Sequence, residues 1–427
     1  MHKKRRLLSI FGLLFAFTLV AAACSDDDES GSDSGDGGSS SSDCADGELS
    51  IGTLLPETGD LAFLGPPEFA GAELAIQDIN AAGGVNDSDV KLTQGDSGDT
   101  TTDIANQTVD TQLADGADAI VGAASSGVSF TVIDKITGAG KIHFSPANTS
   151  PDFTDYDDNG LYFRTAPSDV LQGRILSDLI VEDGYTNVFI FARQDPYGEG
   201  LLKFTKEPLE TAGATVTDVV YDPNATDFAA EVDQAVTAAP DAIVLIGFSE
   251  SEQIIKEQIA KGVGPADVPL LLVDGNVGNA LGEKFTAGGE LAGVRGTLPA
   301  AEITDDFKNQ LLEVDPELQD FSYGPETYDA IVIIALAAQT AGTDCAEDVA
   351  KEINGVTQGG TKCTSFEECK TLIDDGEDID YDGVGGPYSF SDAGEPTEAS
   401  FAILSYADDN TIDDSATVYK FAVLEES

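Results

Sequence analysis

From Glu48 onward the chain repeats one unit: a short apolar run, a turn rich in Gly, Ser, Asn or Asp, and then an amphipathic helical stretch. The runs "LSIGTLL" (49–55), "DAIVGA" (118–123), "KIHFSPA" (141–147), "NVFIFAR" (187–193), "DAIVLIGF" (241–248) and "PLLLVD" (269–274) are mostly continuous in their apolar character. A strand that is apolar on both sides is buried on both faces, and a parallel neighbour needs a crossover of about a dozen residues, usually a helix. Helix patterns of that kind fill the gaps, among them "PPEFAGAELAIQDINAAGG" (66–84), closed by glycines, and "VLQGRILSDLIVED" (170–183). The pattern predicts an α/β protein with parallel sheets covered by helices on both sides.

The units fall into two series, and 427 residues suit two cores better than one. The joint lies near "LYFRTAPSD" (161–169), and a second crossing lies near "VRGTLPA" (294–300). The helix patterns "EITDDFKNQLLEVD" and "PETYDAIVIIALAAQTAG" that follow are expected to return to the first lobe. The strand-rich end, with its alternation and turn signals, is expected to cross back to the second. The predicted architecture is two doubly wound parallel-sheet lobes joined by a three-crossing hinge. Lobe 1 takes 48–166 plus 299–384, and lobe 2 takes 167–298 plus 385–427. Ligands of open parallel sheets bind beyond the carboxyl ends of the strands. Here those ends are "TLLPETGDLAFLG", "GAASSG" and "FSPANTSP" in one lobe and "ARQDPYGEG", "IGFSES" and "LVDGNVGN" in the other.

The formal charge is −57, from 21 basic and 78 acidic residues. Such a surface repels phosphates and excludes nucleic acid as a partner class. The basic start, the apolar stretch 7–20 and the small residues before Cys24 form an export signal, 1–23. The apolar stretch is short of the roughly 20 residues that a membrane span needs. The "AAAC" end resembles a bacterial lipobox, with Ala21 where Leu is usual, which implies acylation of Cys24. Residues 24–47 are then the lipidated Cys and an acidic Ser/Gly/Asp tether that buries nothing. Export places Cys44, Cys345, Cys363 and Cys369 where disulfides persist. Cys363 and Cys369, in "KCTSFEECK", are the preferred pair, while the pairing of Cys44 and Cys345 stays open. No metal is expected, because the export-processed chain keeps only His143 and lacks paired CxxC spacing.

The stretches "GDLAFLGPPEFAGAELAIQDINAAGGV", "IVGAASSG", "HFSPANTSPDF", "YFRTAPSDVLQG", "QDPYGEG" and "GNVGNA" carry a family likeness. In order and spacing the body, 48–424, resembles the periplasmic amino-acid-binding proteins of the leucine/isoleucine/valine type. Those are capture components of ABC transporters with a type I periplasmic-binding fold. Ser126 stands where a strand empties into a helix, and unsatisfied N–H groups with a positive dipole there suit a carboxylate. Capping the helix is the plain structural alternative for Ser125 or Ser126. The resemblance implies that Ser126, with Gly127 in the same turn, binds the ligand carboxylate. It also implies that the Ala147 carbonyl meets the ammonium, that Thr149 touches both ends of an α-amino acid, and that Tyr197 closes over the ligand. Phe248 and Leu64 stand where the family has tyrosines. The family's ammonium-binding Glu falls on Gly275 without a gap, and Asp274 is the nearest acid.

An enzyme lacks parts: His143 lies alone in an apolar strand, and neither a phosphate loop nor a dinucleotide fingerprint occurs. No cofactor is expected. The expectation is a monomeric, extracytoplasmic, lipid-anchored receptor. It captures a small amino acid, of branched-chain type, and hands it to an ABC permease with a separate ATPase. The alternatives are an amide, urea-like or aromatic-acid solute on the same fold, or a sensory ligand-binding protein.

Overall fold

The computed structural model describes residues 45–424. Cys24 and Cys44, with the export signal and most of the acidic segment, lie outside them. The first sheet is wholly parallel, with strand order β2-β1-β3-β4-β5. Its strands are β1 (Ser50–Leu54), β2 (Lys91–Thr93), β3 (Ala119–Gly122), β4 (Ile142–Ser145) and β5 (Tyr162–Arg164), and its connecting helices are α1 (Gly65–Ala81), α2 (Ile104–Ala114) and α3 (Ser126–Gly138). The continuous apolar runs have the cause expected of them. On β3, Ala119 and Val121 pack into one core with α1, whereas Ile120 packs into a separate core with α2 and α3.

The second series runs α4 (Asp169–Glu182), β6 (Asn187–Arg193), α5 (Pro196–Thr211), β7 (Thr215–Tyr221), α6 (Ala229–Ala238), β8 (Ala242–Ile246), α7 (Ser251–Lys261), β9 (Leu270–Leu272), α8 (Asn279–Gly282) and β10 (Arg295–Pro299). The chain then returns to the first lobe as α9 (Asp305–Val314), α10 (Gly324–Ala341) and α11 (Ala346–Ile353), where α10 packs in the same core as α1. A small sheet of β11 (Thr361–Cys363), β12 (Ile379–Gly383) and β13 (Gly386–Pro387), with α12 (Phe366–Asp374), is added there, and the Cys363–Cys369 disulfide ties β11 to α12. Cys345 is also disulfide-bonded. Finally β14 (Glu398–Ser405) and β15 (Val418–Val423) complete a seven-stranded sheet of order β15-β14-β10-β9-β8-β6-β7. Its pairs are parallel except β10–β14 and β14–β15, so β14 alone runs against the rest. The chain therefore passes between the two sheets three times, at 165–168, 300–304 and 388–397.

Two strands differ from the sequence reading. β5 and β10 lie inside stretches read as crossings, because at the hinge a strand runs straight into the connection without a turn signal. The small sheet was not expected at all, since its strands are two to five residues long.

Candidate functional site

The turn after β3 answers what its three serines are for. Ser125 caps α3, accepting from the Val128 N–H at 3.5 Å. Ser129 accepts from the Ala123 N–H at 3.1 Å and pins the turn. Ser126, buried at the start of α3, accepts from the Ser150 N–H at 3.3 Å, and its own hydroxyl proton is donated to none of the described residues. Gly122 has φ +125°, and a Cβ there would sit 2.0 Å from the Leu54 carbonyl, so the strand end admits only glycine.

The loop after β4 is laced to that turn. Ser145 Oγ donates to the Ala123 carbonyl at 2.8 Å and accepts from the N–H groups of Ala147 and Asn148. Asn148 Nδ2 donates to the Ala123 and Ala124 carbonyls, both at 2.9 Å. Ala147 and Thr149 are thereby held beside Ser126, all three buried. Thr149 Oγ1 donates to Asp169 Oδ2 at 3.1 Å, and the Asp169 N–H donates to the Thr149 carbonyl at 2.8 Å.

Lobe 2 supplies an acid and rings. Asp274, just after β9, accepts from Tyr197 OH at 2.6 Å, Tyr323 OH at 2.7 Å and Gln172 Nε2 at 2.9 Å. Tyr323 precedes α10, in lobe 1, so its bond to Asp274 spans the lobes. It holds an unusual left-handed φ of +61°. The neighbouring Gly275 has no room for an acid: a Cβ there would lie 2.7 Å from both the Gly247 carbonyl and the Phe248 ring. Phe248 stacks on Tyr197 at 5.2 Å, and the Arg193 guanidinium lies 3.5 Å over its ring. Phe248 is thus already packed by a ring and by a guanidinium. Arg193 is in turn bound by Asp195 at 2.6 Å and Glu250 at 3.1 Å, and it approaches Asp60 of lobe 1 at 3.7 Å. Leu64 is buried in one apolar cluster with Ala147, Tyr197 and Phe248, so the predicted residues from both lobes converge. Beyond Phe248 a cavity of about 220 Å³ lies between the lobes, lined by Ala62, Phe63, Ala280 and Leu281 among others.

Sequence reasoning missed Asp169. It is fully buried, its Oδ1 has no hydrogen-bond partner among the described residues, and it feels the Asp274 charge. Burial first, and then Asp274, raise its carboxyl well above the usual carboxylate range. Burial also raises Asp274, opposed by its three side-chain donors. Three donors to Asp274 against one to Asp169 favour the negative charge on Asp274 over Asp169. Burial and the Asp274 charge push the Tyr197 and Tyr323 hydroxyls up, so both remain donors. The site thus has a pole for an anion at Ser126 and a pole for a cation at Asp169 and Asp274. His143 is buried in β4, edge-on to Tyr162 at 5.2 Å, and burial lowers it to about 4.

Two doubly wound lobes that meet at a buried cluster of polar groups define a hinged solute-binding protein. The family model described as "Periplasmic binding protein" matches residues 48–410, and the chain belongs to that family. It is 29% identical over 319 residues to a "Leu/Ile/Val-binding protein homolog 1" of Brucella abortus, covering 71% of this chain and 81% of that one. In fold it matches a leucine-binding protein of Thermotoga maritima at TM-score 0.72 and 20% identity, over 87% of this chain and 98% of that one. It also matches the branched-chain amino acid transporter substrate-binding protein of Streptococcus pneumoniae, solved with isoleucine, at TM-score 0.72 and 21% identity, over 88% of this chain and all of that one.

Proposed function

We propose that the protein captures an α-amino acid, of the branched-chain type, between its lobes and presents it to an ABC permease driven by a separate ATPase. The observation that carries this reading is the pairing of poles. A helix N-terminus with an uncommitted hydroxyl suits the carboxylate, and two buried acids beside Thr149 and the Ala147 carbonyl suit the ammonium. The names of the relatives point to the same ligand class. The cavity beyond Phe248 offers Ala62, Phe63 and Leu281 to an aliphatic side chain, with Asp60, Glu252 and Lys284 also on its wall. Ligand contacts made on both lobes favour the closed state, because only closure completes them. Acylation of Cys24 would hold the protein on the outer face of the cell membrane.

An aromatic monocarboxylate is the reading to set against this one, and it brings no cation to the acid pair. Calorimetric titration with L-leucine, L-isoleucine, L-valine and benzoate separates the two. Saturable binding of an amino acid, recovered chemically intact, is the expected result. Binding of benzoate alone would sink the proposal. A Cys24→Ser variant that still fractionates with membranes would remove the anchor.

A further inference from the structure

Arg164 is the last residue of β5, fully buried, and its donors divide between two distant parts of the chain. Nε donates to Glu395 Oε2 at 2.9 Å, and Nη2 reaches the same carboxylate. Nη1 donates to the Asn148 carbonyl at 3.2 Å and to the Ser150 carbonyl at 2.8 Å, the peptide oxygens on either side of Thr149. Glu395 lies in the third crossing and also accepts from Thr154 Oγ1 at 3.0 Å. The Arg164 N–H donates to the Gly394 carbonyl at 3.0 Å, and the first crossing begins at the next residue. Arg164 therefore ties the ligand loop to the third crossing through its guanidinium and backbone N–H, and it stands one residue before the first.

A buried ion pair is poor value as a stabiliser, since desolvation takes back most of the attraction. What this geometry does provide is registry: a planar fork whose donors fix two segments relative to each other. We propose that Arg164 and Glu395 are positioning residues that couple the Thr149 loop to the hinge, so that the loop is set for ligand only when the crossings are in their closed arrangement. This rests on the proposed ligand role of Thr149. Rotation of the lobes must move the third crossing against β5. Through Arg164 that movement is passed to the carbonyls that flank Thr149, and from the Thr149 carbonyl to the Asp169 N–H.

The test is a double-mutant cycle on the full chain. Arg164→Lys keeps the charge opposite Glu395 but loses the fork to the two carbonyls. Its affinity for whichever standard L-amino acid binds the wild type most tightly is expected to fall about tenfold. In a Thr149→Ala background the same change is expected to cost less than about twofold, because the group it positions is gone. The melting temperature of the ligand-free protein should drop equally in both backgrounds, which a purely structural pair would also produce. Equal affinity losses in the two backgrounds, or no loss in the first, overturn the coupling. Glu395→Gln gives the same cycle from the other side should Arg164→Lys not fold. Wild-type binding by Thr149→Ala alone defeats the proposed site itself, and that single variant reports it separately.

Discussion

The two lobes approach the ligand with different materials. Lobe 1 offers dipoles: the start of α3, the Ser126 hydroxyl, the Ala147 carbonyl and the Thr149 hydroxyl, all fixed by a web of backbone and amide bonds. Lobe 2 offers net charge and rings: Asp274 with its donors, Tyr197, Phe248 and the buried Arg193. Asp169 sits where the first crossing ends. The start of α3 and the Ser126 hydroxyl, held by their own turn, can meet a carboxylate at little cost, whereas on the proposed coupling the Thr149 loop is set through Arg164 and the hinge. Charge held on the opposite lobe acts fully only once water has left the cleft. On the proposed reading the difference divides the work: lobe 1 meets the carboxylate, and lobe 2 adds the counter-charge on closure.

The strongest way to break that division is Asp274→Asn. It keeps shape and part of the hydrogen bonding but deletes the charge, and amino-acid affinity should fall about a hundredfold, ~2.7 kcal/mol. Equilibrium titration decides it, and an unchanged affinity would mean that lobe 2 contributes no counter-charge. Next is Ser126→Ala, expected to weaken binding about tenfold by removing one charge-assisted bond, ~1.4 kcal/mol. If it costs more than Asp274→Asn, the ranking of the lobes is reversed.

The third effect is pH dependence. Asp169 is raised well above the ordinary range in the ligand-free protein, and an arriving ammonium favours its ionised form. Binding then expels a proton, so affinity should rise with pH above the ordinary carboxylate range and level off once Asp169 ionises unaided. Titrations in buffers of different ionisation enthalpy measure the released proton. Asp169→Asn should abolish it.

The smallest effect concerns acids that lobe 1 buries away from these poles. Neither carboxylate oxygen of Glu68 has a hydrogen-bond partner among the described residues, and burial pushes its neighbour Glu326 up to about 8. A folded-state value above the ordinary 4.5 means that stability is highest below that pH and is lost as pH rises toward 8. Glu326→Gln should melt a few degrees higher than wild type above about pH 8 and match it near pH 4. Parallel melting curves at every pH would show that Glu326 is not protonated in the folded protein.

Much of this was legible in the sequence. The α/β order followed from the continuous apolar runs, and Asp274 stood out because it ends one of them. Asp169 was hidden by its company. In "PSDV", Ser168 does cap α4, accepting from Val170 N–H at 3.4 Å, and an acid in a first helical turn needs no further role. Tyr323 gave no signal, because nothing in "FSYGPE" announces a left-handed tyrosine reaching across the cleft. Arg193 and Arg164 each end a strand, where a basic residue ordinarily faces water, and only tertiary packing shows that both are buried. Contacts between segments far apart in sequence leave no periodicity to read.

The strand order of the second sheet also sets a schedule for biosynthesis. Its parallel part, from β7 across to β10, is made by Pro299, yet β14, which pairs with the other edge of β10, begins only at Glu398. Until the ribosome has finished almost the whole chain, β10 presents an unpaired edge and lobe 2 has no complete sheet to settle into. Lobe 2 therefore waits on pairing between segments far apart in the chain, the slow kind, whereas all five strands of the first sheet are made by Arg164.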